Sequence, residues 1–507
     1  MAIAKSYSAQ LNGLHVEIVT IEVDISNGLH SFSIVGLGDR SIEEAKDRIS
    51  AGIKNSDLVS PKQKNQKITI SLAPAHIRKE GPSFDLGMAM AYLLASEEVH
   101  YEPKNIIFIG ELSLDGRVCR VGGLLPILCG IKAHGFDQIF IPAENSEEAS
   151  LIKDLDIYPV STLREVLEHF LGNSKISTLK YKSIVQNNSN LEKDMSIVRG
   201  NHTAKRGLEV AAAGAHNVAL FGPPGTGKTL LAQCFQSILP DLDHNESIEV
   251  TGIYSISNIT NNGLIKRPPF RSPHHTASYP SIVGGGSIPK PGEITLAHRG
   301  ILFLDEFPEF DKSVIEALRQ PLEEQKITIT RARGAVTFPA QCIFIASMNP
   351  CLCGKNPSSS CKCTQNEIEK YKKRISGPIS DRIDIWLSVD KIDYHELGNK
   401  ISKEESSTSI RNRVLSARNI GKKRFQKFKI NKNYNSEIDS NDIDMIIGLT
   451  DSARALAIDV SKKLSLSGRA FHRILKVGRT IADLNSREDV IEEDILEAIQ
   501  YRTKIIG

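Results

Sequence analysis

The sequence predicts an α/β protein in three parts: an N-terminal α/β domain, a second α/β domain built on a buried parallel sheet, and a C-terminal helical domain. Three observations point there. Short β-like runs alternate with helical stretches from residue 1 to 171, near-continuous apolar runs recur between 218 and 346, and beyond about residue 400 only helical patterns remain. Alternation of the two periodicities marks α/β architecture, and strands that are apolar along their whole length belong to a parallel sheet covered on both faces.

In chain order, residues 67–72 and 106–109 read as strands of the first domain, and residues 87–96 and 161–171 as its helices. Residues 172–198 become rich in Asn, Ser and Lys and are expected to be a linker. Residues 199–397 form the second domain, with a helical run from Ala204 to Ala213 and strands at 218–221, 301–304 and 342–346. Residues 398–507 form the third, with helices expected at 451–463 and 470–484. A chain of 507 residues exceeds one hydrophobic core, so several domains are expected on size alone.

With 40% hydrophobic and 24% charged residues and a net charge of +3, the composition excludes wholesale disorder and carries no chain-wide signature of a polyanion partner. Residues 1–17 lack the apolar core of a signal peptide, and no later run is long enough for a membrane span. A cytoplasmic protein with no membrane partner is therefore expected. Four of the eight cysteines crowd into Cys351, Cys353, Cys361 and Cys363, which is not the usage of a secreted disulfide scaffold.

The run Gly222-Pro223-Pro224-Gly225-Thr226-Gly227-Lys228-Thr229 fits the G-x-x-x-x-G-K-[ST] P-loop and stands between a strand and a helix, where a phosphate cradle belongs. Its glycines let backbone amides curl around phosphates, and the helix N-terminus adds partial positive charge. Lys228 would neutralise the phosphates of ATP, and the Thr229 hydroxyl would ligate Mg²⁺. The strand at 301–304 ends in Asp305-Glu306, a Walker B arrangement: Asp305 would hold Mg²⁺ and Glu306 would polarise the attacking water. Beyond the strand at 343–347, the amide of Asn349 is placed to orient that water.

Two arginines complete the set. Arg382, in the turn Gly377-Pro378-Ile379-Ser380-Asp381-Arg382-Ile383-Asp384, resembles an arginine finger; pairing with Asp381 or Asp384 is its plain alternative. Arg469, in Ser467-Gly468-Arg469-Ala470-Phe471-His472-Arg473, resembles a sensor 2 arginine and is preferred to Arg473. The expectation is that Arg469 serves its own chain's nucleotide and Arg382 a neighbour's.

Joined by Phe270-Arg271-Ser272-Pro273-His274-His275-Thr276, Val283-Gly284-Gly285-Gly286-Ser287 and the stretch from Gly292-Glu293-Ile294 to Glu306-Phe307-Pro308-Glu309-Phe310, these blocks resemble the magnesium chelatase-like family named YifB or ComM over essentially the whole chain. The resemblance implies an N-terminal Lon-protease-like domain of ribosomal-S5 type, an AAA+ P-loop αβα module with a helix-2 insert, and a C-terminal helical lid. It also implies homo-hexameric rings that act on DNA and promote branch migration during natural transformation, alongside recombination proteins.

Within the Lon-like part, Ser83 stands where such enzymes carry their nucleophile, but the turn Gly122-Gly123-Leu124 is followed by Leu125 in place of the lysine base. Lys132 lies roughly 10 Å further along a helix, too far to replace it. Ser83 is therefore expected to cap a helix in a non-catalytic domain.

Residues 327–330 alternate, Arg331-Ala332-Arg333-Gly334 make a turn, and 335–338 form a second arm; the hairpin resembles the pre-sensor-1 hairpin of this AAA+ clade. Lys326, Arg331 and Arg333 would grip DNA phosphates, single-stranded or branched, with a solvated basic turn as the alternative. The basic stretch 411–429, with Lys422, Lys423, Arg424, Lys427 and Lys429, is a second candidate or simply an amphipathic helix. Cys351, Cys353, Cys361 and Cys363 would surround Zn²⁺ or remain reduced thiols. His274 and His275 receive no role. The expected function is an ATP-dependent DNA motor; a remodelling or chelatase-type ATPase acting on a protein or porphyrin is the second candidate, and a Ser-Lys protease the third.

Overall fold

The structure, a computed structural model, describes residues 3–75, 78–79, 81–182, 193–257, 259, 263–286, 289–331, 334–355, 361–375, 377–391 and 404–502. The chain divides into two units, one of Met1–Gln186 with His244–Ile265, the other of Asn187–Asp243 with Lys266–Gly507.

In the first unit a four-stranded sheet runs in the order Ala4–Asn12, His15–Asn27, Gln66–Ala73, Ser31–Val35, antiparallel except for the last pair. Ile68, Ile70 and Leu72 are buried while the alternate residues Lys67 and Thr69 are exposed and Ser71 is half-buried, the period-2 signature of a sheet with one covered face. The helix Asp85–Ala95 and the parallel strands Ile106–Phe108, Gln138–Pro142 and Asp156–Val160 complete the expected α/β domain. Thr162 caps the helix Leu163–Leu171, and Gly172, at φ 80°, ends it.

Two boundaries differ from expectation. Residues 173–182, expected as linker, run along this unit: Leu179 N–H donates to Ile157 O at 2.8 Å and Lys182 N–H to Ser150 O at 2.9 Å. Ile157 lies on an edge strand whose carbonyl is open to such pairing, and Ile176 and Leu179 pack against the apolar clusters of the unit. The helix His244–Ile256, inside the expected ATPase core, belongs to the first unit. Gly252 lets it approach the helix Leu124–Ile131, since a Cβ there would come within 2.9 Å of Pro126. The expected boundary at 397/398 and residues 183–192 of the linker lie outside the described residues.

The second unit is built on a five-stranded parallel sheet ordered Phe270–Arg271, Ile301–Leu304, Ile343–Met348, Val218–Phe221, Ile385–Ser388. Its central strands are buried on both faces, as the continuous apolar runs require. Helices Ser407–Lys427, Asp451–Lys463, Gly468–Leu484 and Glu492–Gln500 form the lid. The basic stretch 411–429 lies on the first of these, and its arginines are engaged internally. Arg411 donates to Ser237 O and Arg418 to Ala212 O, carbonyls in the last turns of two core helices, and Arg424 pairs with Asp483. Arg413 pairs with Glu209 and Glu405, and of the basic residues of the stretch Lys422, Lys423, Lys427 and Lys429 are exposed. No helix among the described residues is long and apolar enough to cross a membrane.

Candidate active site

Parallel strands end on one edge, so side chains just beyond their C-terminal ends meet. The strand Ile343–Met348 lies between the P-loop strand Val218–Phe221 and the Walker B strand Ile301–Leu304, which brings Asn349 between the other two groups. Lys228 Nζ donates to Asn349 Oδ1 at 3.1 Å and to the carbonyls of Gly222 and Pro223 at 2.7 and 2.8 Å. Thr229 Oγ1 donates to Asp305 Oδ2 at 2.7 Å, and Glu306 N–H to Asp305 Oδ1 at 3.0 Å.

The loop geometry depends on glycine at two points. Gly227 precedes the helix Lys228–Ile238 at φ 91°, a left-handed conformation that a side chain resists. At Gly222 a Cβ would lie 2.1 Å from Val389 O. The resulting cleft, of ≈ 520 Å³, is lined by the loop from Pro224 to Thr229 together with Asp305, Glu306 and Asn349. Burial pushes the Lys228 pKa down, while Asp305 and Glu306 pull it up. Among the described residues its hydrogen-bond partners are neutral oxygens, so a phosphate would be the strong counter-ion it lacks. The adjoining hydroxyl of Thr229 and carboxylate of Asp305 are hard oxygen donors that fit Mg²⁺. Lys193, which donates to Gln233 Oε1 at 2.7 Å, also lines the cleft. It comes from the segment expected as linker, and a lone lysine in a polar run gives no signal.

The two arginines are together, away from this cleft. Arg382 is only 8% exposed and donates to Pro378 O at 2.6 Å and to Glu323. Neither Asp381 nor Asp384 is its partner. Asp384 instead binds Arg473 and lies 3.4 Å from His216. Burial would raise the Asp384 pKa, but Arg473 and His216 hold it well below the carboxylate range. Arg469 does not line the cleft of its own chain. Ser467 caps the helix Gly468–Leu484, and Arg469 in its first turn lies 3.8 Å from the same Glu323. Arg469, expected over its own chain's nucleotide, thus stands beside Arg382 in this structure.

The hairpin is present as Lys326–Arg331 paired antiparallel with Gly334–Pro339. Ile327, Ile329 and Phe338 are buried at its foot. Lys326 pairs with Pro339 and is therefore at the base, away from the turn. The side chain of Arg331, and Arg333 entirely, lie outside the described residues.

The four clustered cysteines place their sulfurs within 4.8 Å of one another. A tetrahedral Zn²⁺ with Zn–S of about 2.3 Å sets sulfurs about 3.8 Å apart, and Cys351 lies 3.4 and 3.8 Å from Cys353 and Cys361. The donor set fits zinc. His275 Nδ1 lies 3.5 Å from Glu306 Oε2, and its ring stacks on His274 at 4.2 Å. The spacing of those histidines in the chain gave no hint of this contact.

In the first unit Ser83 does not cap the helix Asp85–Ala95, whose N-cap is Phe84 without a side-chain bond. The turn Pro82–Phe84 precedes the helix and leaves the serine outside capping position. Leu125 is fully buried, and Lys132 pairs with Asp154 at 3.7 Å.

Residues 194–397 match the family described as magnesium chelatase, subunit ChlI; residues 21–145 match subunit ChlI of Mg-chelatase, and residues 404–502 the ChlI C-terminal family. Competence protein ComM of Haemophilus influenzae is 38% identical over 511 residues, covering 100% of this chain and 98% of that protein. YifB of Escherichia coli K12 is 37% identical over 497 residues, 97% of this chain and 95% of its own. The Lon protease of Buchnera aphidicola is 29% identical over 167 residues, 31% of this chain and 21% of that protease.

Proposed function

The chain belongs to the magnesium chelatase-like AAA+ ATPase family of ComM and YifB, and from that premise we propose that it is an ATP-driven DNA motor working as a homo-hexameric ring. The observation that carries the DNA part is the hairpin Lys326–Pro339, inserted between the Walker B strand and the strand leading to Asn349, with Arg331 and Arg333 at its turn by sequence.

The P-loop and Lys228 hold the phosphates of ATP, Asn349 fixes Lys228 and the attacking water, and Glu306 accepts the proton of that water. Thr229 and Asp305 would hold Mg²⁺, which would neutralise phosphate charge. Arg382 and Arg469 of one copy reach the nucleotide of the next. Hydrolysis moves the hairpins, whose arginines grip phosphates of single-stranded or branched DNA without reading sequence. A relative named competence protein ComM supports work in competence; natural transformation, with recombination proteins as partners, is part of the proposal. Cys351, Cys353, Cys361 and Cys363 would hold Zn²⁺, which would staple the loop after Asn349.

The test compares ATP hydrolysis and Holliday-junction migration in the wild type and in Arg331→Ala/Arg333→Ala. The hairpin variant keeps basal hydrolysis and loses migration; normal migration would refute the pore contact. The chelatase matches favour a second reading, metal insertion or protein remodelling. Stimulation of hydrolysis by a porphyrin with Mg²⁺, and not by DNA, would select it.

A further inference from the structure

The helix Arg319–Glu324 enters the hairpin through Gln325, whose φ of 56° turns the chain into the strand Lys326–Arg331. On the last turn of that helix Glu323 accepts from Arg382 and lies 3.8 Å from Arg469. The foot of the hairpin is tied to the lid a second time, because Gln325 Nε2 donates to Glu437 at 3.4 Å and Gln341 Nε2 donates to the same carboxylate. Glu437 ends the turn Asn435–Glu437, which Lys476 and Asn435 fasten to the helix Gly468–Leu484 with bonds of 3.1 Å to Ser436 O and Thr480 Oγ1.

The two arginines suited to phosphate therefore share one carboxylate, Glu323, in the helix that leads through Gln325 into the strand pair suited to DNA. A guanidinium grips carboxylate and phosphate with the same fork of donors, so an arriving phosphate competes directly with Glu323. Arg382 keeps a donor in reserve: its Nε is buried with no hydrogen-bond partner among the described residues. Glu323 itself is exposed and can be drawn away without opening the core.

We infer that Glu323 transmits the nucleotide state of a second copy of this chain to the foot of the hairpin. The inference rests on the ring proposed above and names how the ring couples. When a neighbour's nucleotide presents its terminal phosphate, Arg382 and Arg469 leave Glu323 for it, and the helix Arg319–Glu324 releases the hairpin. After phosphate is lost the arginines return to the carboxylate. Glu323 touches neither nucleotide nor DNA and is a positioning residue.

Glu323→Gln keeps the shape and removes the charge. Its ATP turnover without DNA stays within about threefold of wild type, its stimulation by DNA falls to about one, and junction migration drops at least about tenfold. Glu323→Asp, with the charge restored, recovers part of both. Tryptic cleavage after Arg331 and Arg333, mapped by mass spectrometry, gives a readout that needs no DNA: a slowly hydrolysed ATP analogue changes its rate in the wild type and not in Glu323→Gln. The inference is overturned if Glu323→Gln matches the wild type in both readouts, or if it loses turnover in proportion to migration. Should the wild type itself ignore DNA, the motor reading fails, and the cleavage readout still decides the role of Glu323.

Discussion

Each unit of the chain sets a reactive side chain at a turn ahead of a helix, and the two turns have met different fates. Ser83 precedes the helix Asp85–Ala95, but the position where a base would stand carries a buried leucine, and the lysine further on is engaged with Asp154 at the surface. Lys228 opens the helix Lys228–Ile238 and meets Asn349, while its neighbour Thr229 meets Asp305. The contrast teaches that a turn supplies a nucleophile or a cradle, but chemistry needs partners from other strands aimed at the same point. The first unit keeps the scaffold. The second keeps the convergence.

The strongest way to break this contrast is Lys228→Ala, which should lower ATP turnover by about 10³-fold as measured by phosphate release. Retained hydrolysis would place the chemistry elsewhere. Next in size is Asp384→Asn, which strips Arg473 and His216 of their buried anion and should cost about 3 kcal/mol in denaturant unfolding. The sign with pH follows from the depressed carboxyl: the stabilisation is present above the unfolded value of 3.8 and is lost as pH falls toward the folded one. An acid titration of the second unit by circular dichroism should show that loss in the wild type and less of it in Asp384→Asn. Smallest of all is Ser83→Ala, expected to leave turnover unchanged, with no labelling of the wild-type serine by a fluorophosphonate. Labelling at Ser83 would show that the first unit has kept its chemistry after all.

Much of the site was legible because its chemistry is local in the chain. A P-loop compresses a turn, a cradle and a helix start into consecutive residues, and an apolar strand ending in Asp305-Glu306 announces its own sheet edge. What escaped notice depends on distant segments. Glu323, the shared partner of Arg382 and Arg469, carries no mark in a helix ending Glu323-Glu324, and Arg469 could be placed over its own nucleotide only by analogy. The helix His244–Ile256 buries Ser247 and Thr251 beside Val250, Ile253 and Tyr254, so nothing in its periodicity says which unit covers it. In the basic stretch 411–429 charge left DNA contact and a solvated amphipathic helix both open, and neither showed that Arg411 and Arg418 close the carbonyl ends of core helices. Ser83 misled through its position alone, since a short turn shifts the cap to Phe84.

The central claim is that the cleft around Lys228 is completed by arginines from another copy, and subunit mixing tests it most directly. Lys228→Ala and Arg382→Ala, each inactive alone, are combined in equal amounts and assayed for ATP turnover. In a head-to-tail ring with random mixing, about one quarter of interfaces join an intact P-loop to an intact finger, so turnover should recover to about that fraction of wild type. No recovery, from proteins shown to assemble together, would contradict the account.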